Sequence, residues 1–198
     1  MNFRQLLFIG LSSLVLASAL RADSLPTDHV TAGIIKKYIE SIVSQDWGTS
    51  ADMLMPASLE LHKEQILEAI KRSPTISQEA AALGILGLKD IRDLEKMTPK
   101  DVYVADRKAV YQRLDIKPEV LKRKQETLKI NILGLVPEDG GKIVHALVRT
   151  SQETPDASLA ELILLSVVQD KADPKKWLVN PDMQKPLSTP LVSAAVKK

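Results

Sequence analysis

The order of its hydrophobic periodicities predicts an α+β fold for this chain: N-terminal helices packed on a curved, four-stranded antiparallel meander. Three observations predict it. From residue 30 to about residue 114 apolar side chains recur at helical spacing. From about residue 125 they alternate at the period of a strand, with turn residues between the runs. The stretch 159–169, LAELILLSVVQ, carries seven large aliphatic residues in eleven. It is too short to span a bilayer as a helix and rich enough in β-formers to be a central strand buried on both faces. At about 1.5–3 kcal/mol per buried aliphatic side chain, it contributes roughly 10–20 kcal/mol as an upper bound.

Taken in order, residues 1–22 read as a secretory signal. Arg4 supplies a positive start, residues 6–16 an apolar core, and Ala17-Ser18-Ala19 a small-x-small cleavage site, with cleavage after Ala22 as the alternative. An uncleaved membrane anchor is the other reading of this segment. Either places the remainder outside the cytoplasm, periplasmic or secreted.

Thr27 or Asp28 can cap a first helix, whose stripe is Val30, Ile34, Tyr38 and Ile42 and whose end falls near Gln45. A shorter piece over 50–55 precedes Pro56. A long helix is expected over 58–71, a small-residue helix over 78–86 capped by Ser77 and closed by Gly87, and a short one over 90–97. Thr98-Pro99-Lys100-Asp101 starts another, running to about Leu114: a cap, a proline at the first helical position and an acid in the first turn. Near Pro118 the period changes. Strands are expected over 125–136, 143–151, 159–169 and 176–180, the first two joined by a turn at Pro137-Glu138-Asp139-Gly140-Gly141. Residues 27–180 thus form one domain, and 181–198, with Pro181, Pro186 and Pro190, a flexible tail.

Composition removes whole chemistries. There is no cysteine, so disulfides, zinc thiolates, iron–sulfur clusters and thiol catalysis are excluded. The net charge of +2 rests on Arg4 and Arg21; without residues 1–22 the basic and acidic residues balance at 25 each. The electrostatic support for nucleic-acid binding therefore disappears. Both phenylalanines, Phe3 and Phe8, lie in the signal, so the domain's core is aliphatic. No glycine-rich phosphate loop, G-x-S-x-G elbow or H-E-x-x-H pair occurs. Asp90, Asp93 and Glu95 sit where acids favour a helix start and lack a calcium-loop pattern. Lys122-Arg123-Lys124 lies between Glu119 and Glu126 and reads as the solvated start of a strand. No metal or cofactor is expected.

The layout resembles the nuclear-transport-factor-2-like superfamily, an α+β cone of the cystatin-like kind with exported bacterial members. The resemblance is carried by a first helix ending in Ser44-Gln45-Asp46-Trp47, the Pro56 segment after it, and a meander closing on Lys175-Lys176-Trp177-Leu178-Val179. It covers residues 27–180, with 84–114 as additional helix. It implies a sheet wrapped by helices around a cone-shaped cavity. The superfamily hosts isomerases, dehydratases, cyclases and pure binding modules, so fold alone does not select the function.

Candidate residues follow from that expectation. Tyr38, Tyr103 and Tyr111 lie on helices that cover the sheet, and a hydroxyl reaching an apolar cavity can hydrogen-bond a ligand or serve as an acid. Trp47, at the turn after the first helix, and Trp177, in the last strand, are packing residues and candidate cavity walls. His29, His62 and His145 lie far apart and read as structural; His62 should border the core, and His145, mid-strand, is the one candidate base. The leading expectation is an exported, non-enzymatic module binding a small apolar ligand or a protein partner in an aliphatic cone, without nucleic acid and without a membrane after signal cleavage. The alternatives are an isomerase or dehydratase using a cavity acid or base, and a homodimer formed through the sheet's open face.

Overall fold

A computed structural model describes residues 24–186 and 191–194. The signal segment and its cleavage sites lie outside the described residues. Among the described residues seven α-helices precede five strands. Helix α1 spans Val30–Val43, α2 Trp47–Asp52, α3 Pro56–Lys71, α4 Ile76–Ile85, α5 Ile91–Lys96, α6 Pro99–Arg113 and α7 Pro118–Thr127. Strand β1 is Lys129–Glu138, β2 Ile143–Glu153, β3 Ala157–Gln169, β4 Trp177–Pro186 and β5 Leu191–Ala194. The fold is α+β, and β1–β4 form the expected antiparallel meander. Among the described residues no helix is long and apolar enough to cross a membrane.

Local chemistry explains most boundaries. The α1 helix is closed by Gln45 in the left-handed region (φ 59°), with the Asp46 amide donating to the Ser41 carbonyl at 2.8 Å. Asp46 at once caps α2, its Oδ1 accepting from the Thr49 amide at 3.0 Å. Helix α4 begins two residues earlier than expected, because Thr75 rather than Ser77 is its cap. It ends at Gly87 (φ 75°), where the Leu88 amide reaches back to the Leu83 carbonyl. Thr98 caps α6 and Pro99 takes its first position.

Two expectations are corrected. The region around Pro118 does not begin a strand. Pro118 occupies the first position of α7, with Glu119 in the first turn and Lys124 in the last. Lys122 and Glu126 pair one turn apart on it. The basic run is therefore helical, and β1 starts only at Lys129. Nor does ordered structure stop at residue 180. Strand β4 continues to Pro186 and β5 pairs with Ala157–Ala160, so both run along the same edge of β3. The prolines are tolerated because this is the outer edge of the sheet, where no further strand needs their missing N–H groups.

Strand β3 is interior, with β2 on one side and β4 and β5 on the other. Its burial on both faces is confined to Leu165, Ser166 and Val167; the half towards Ala157 is only partly covered. On β2, Val144, Ala146 and Val148 point at the helices and are fully buried. They meet Ile35, Tyr38 and Ile39 of α1, Ala51, Leu54 and Tyr103 in one core. A second cluster, Ile70, Leu83, Leu94 and Val102, holds α3–α6 together beside it. Backbone bonds lock helices to sheet: the Val179 amide donates to Met53 (2.7 Å) and the Met55 amide to Val179 (3.0 Å).

Candidate functional site

Between the helices and the inner face of the sheet lies a cavity of about 500 Å³. Its walls come from α1, α2, α3, α6 and α7 and from β2, β3 and β4. The volume falls within the roughly 300–1,000 Å³ usual for small-molecule sites. Periodicity decides which side chains reach it. On α6, Tyr103, Arg107 and Tyr111 are four residues apart and share one face; on α3, Ser58, His62 and Gln65, four and then three apart, also share one. On β2, Thr150 and Gln152 continue the inward set, and on β3 Glu161, Ile163 and Leu165 face them. Ile39, Ile42 and Leu54 complete an apolar wall.

Four of the six candidates from the sequence therefore meet at one place: Tyr38, Trp47, Tyr103 and Tyr111. Trp47 is buried with its ring 4.7 Å from that of Tyr111, so it plugs the core and lines the cavity together. Trp177 does not line it. That ring stands edge-on to His29 at 6.2 Å and borders an open groove with Ile34, Lys37 and Met53.

His145 is also elsewhere. It alternates with Val144 and Ala146, which face the helices, so its ring lies on the outer sheet face. There Nδ1 is 2.8 Å from the hydroxyl of fully buried Ser166, and Nε2 is 2.5 Å from Glu138. It ties β1, β2 and β3 together and offers the cavity no base.

The base that does border the cavity is His62. Its Nε2 lies 3.2 Å from Asp106 Oδ2, close enough to pair when the ring is charged but out of line for a hydrogen bond. Its ring meets Tyr103 edge-on at 5.6 Å. Arg107 places Nη2 3.1 Å from the same carboxylate and its guanidinium carbon 5.5 Å from the centre of the Tyr103 ring. The contact with His62, seconded by Arg107, holds the Asp106 carboxyl below the usual carboxylate range against partial burial. Burial drives the Tyr38 phenol well above the ordinary tyrosine range, with Tyr103 adding to the shift. Tyr111 is raised for the same first reason. Both phenols are neutral donors throughout the physiological range.

Three buried side-chain polar atoms among the described residues have no hydrogen-bond partner: His62 Nε2, Arg107 Nε and Gln152 Oε1. All three belong to residues of this cavity. His62 Nε2 keeps its contact with Asp106, but Arg107 Nε and Gln152 Oε1 each cost about 1–3 kcal/mol. Sequence reasoning placed His62 at the border of the core as a structural residue and missed Arg107 and Gln152. The available signal was the spacing: Arg107 falls midway between two tyrosines already singled out, and His62 shares a face with Ser58 and Gln65.

The outer sheet face carries exposed apolar residues, Leu133 at 44% and Val136 at 43%. Among the described residues no group of three or more acids and histidines is placed to hold a metal ion. No protein-family model, curated protein or solved structure matches the chain.

Proposed function

We propose that this chain is an exported, non-enzymatic module of nuclear-transport-factor-2-like design that holds a small ligand, apolar along most of its length, in the cavity under α6 and α7. One observation carries the reading: the two buried polar atoms among the described residues with neither a hydrogen bond nor an ion contact, Arg107 Nε and Gln152 Oε1, both belong to residues lining one cavity. A protein that only needed a filled core has no use for that arrangement, since Arg107 Nε and Gln152 Oε1 oppose folding until something bonds to them. The aliphatic wall from α1 and β3 supplies the desolvation that binding needs. The test is native mass spectrometry of the protein as purified, followed by the same measurement on Ile39→Trp, which fills the cavity. A small molecule bound to the first and lost from the second supports the reading. Ligand retained by both overturns it.

A second reading, an isomerase or dehydratase, is favoured by the His62–Asp106 contact. The Asp106 carboxylate beside the imidazole orients the ring at the cavity wall, and Tyr103 beside it can donate a proton. Here His62 replaces His145 as the base. Turnover of a carbonyl substrate that is lost in His62→Gln with binding retained would establish it. Self-association through the outer face is a third reading, drawn from exposed Leu133 and Val136. Light scattering at micromolar concentration decides it: a monomeric mass removes it.

A further inference from the structure

Resting on the cavity reading above, we infer that the ligand carries a carboxylate, received by Arg107 Nε and the phenols of Tyr38 and Tyr103 while its aliphatic body lies along Ile39, Ile42 and Leu165. The argument begins with Arg107. Its Nη2 is committed to Asp106 at 3.1 Å, but Nε is buried without a partner. A guanidinium carries a permanent charge and offers neighbouring N–H groups in a fixed plane, a shape that carboxylate oxygens match. Tyr103 packs against that guanidinium, and Tyr38 is next to Tyr103 in the same wall. These hydroxyls and N–H groups form a donor-rich end, and what completes it is an acceptor. The acids lining the cavity, Glu161 and Asp182, belong to the sheet, and Asp182 already accepts from Ser58 at 3.0 Å. Like charge turns an incoming carboxylate away from them and towards the cations lining the helix side, Arg107 of α6, shared with Asp106, and Lys124 of α7.

Three eight-carbon probes separate the head group from the body: octanoate, octan-1-ol and octylamine, titrated calorimetrically into the purified protein. Octanoate is expected to bind at least tenfold tighter than either of the others. Arg107→Met should remove that preference and leave octan-1-ol within about twofold of its original affinity. Should Arg107→Met not fold by circular dichroism, Arg107→Gln and Tyr103→Phe carry the same comparison. Equal affinity for octanoate and octan-1-ol overturns the carboxylate assignment and leaves the cavity reading standing. Tighter binding of octylamine overturns it too, by showing that Glu161 or Asp182 reads the head group. Failure of all three probes to bind overturns both readings.

Discussion

Leu164 and Leu165 are chemically identical neighbours on β3, and their truncation should have different costs. Leu165 is 1% exposed, packed in the core under α1 and on the cavity wall, whereas Leu164 projects to the outer face and is only partly covered. Leu→Ala in a core costs about 2–5 kcal/mol, of which part is the price of the empty space left behind. At Leu165 the new space merges with an existing cavity, so the cost should fall towards the lower end, about 2–3 kcal/mol. At Leu164 less apolar surface leaves water on folding, and about 1 kcal/mol is expected. For a domain of this size each kcal/mol moves Tm by about 2–4 °C, so Leu165→Ala should melt roughly 4–12 °C below the parent and Leu164→Ala roughly 2–4 °C below it. Thermal unfolding followed by far-UV circular dichroism reads both. Equal shifts, or a larger one for Leu164→Ala, would refute the register of β3 and with it the assignment of inward-facing residues on β2 and β3.

Other outcomes follow from named contacts. Thr98→Ala removes the cap of α6 and should cost about 1 kcal/mol in urea unfolding, with the m-value unchanged. His145→Ala strands the buried Ser166 hydroxyl and should cost about 1–2 kcal/mol; adding Ser166→Ala should recover part of that loss, and neither change should alter ligand binding. The Asp106 carboxyl is held below its unfolded value, so its contribution to stability is complete above the unfolded value of about 3.9 and is lost as pH falls through the folded one. Asp106→Asn should therefore flatten the acid limb of a stability-versus-pH curve below about pH 4, while an unchanged limb would show that the carboxylate is not held by His62 and Arg107.

How much was legible in the sequence depends on which force fixed each part. Helix α1 and strand β3 announce themselves through a periodic apolar set, and α6 through its Thr98-Pro99 start, although Val110 on it and Leu114 at its end are exposed. Helix α7 did not, although Pro118, Glu119 and Lys124 stand where a helix wants them. It buries no residue fully, so no apolar stripe marked it. Strand β5 is invisible locally, because four residues become a strand only through pairing with Ala157–Ala160. At the site, aromatic residues on covering helices pointed to the cavity. Yet of the polar groups that distinguish it, Arg107 looks like a surface charge along the chain and His62 like a structural residue at the core's border, and only the packing of α3 against α6 brings them together. His145 attracted notice by sitting mid-strand, but strand alternation makes such a residue face either way, and its neighbours Val144 and Ala146 took the inner side.

The chain has two tryptophans, and only Trp47 lines the cavity. In a Trp177→Phe protein Trp47 is the sole tryptophan emitter, so titration with octanoate reports directly on whether a ligand enters there. A saturable change in emission, with reduced acrylamide quenching and a midpoint matching the calorimetric affinity, is the result expected. Calorimetric binding that leaves Trp47 emission and quenching unchanged would place the ligand elsewhere and contradict the account.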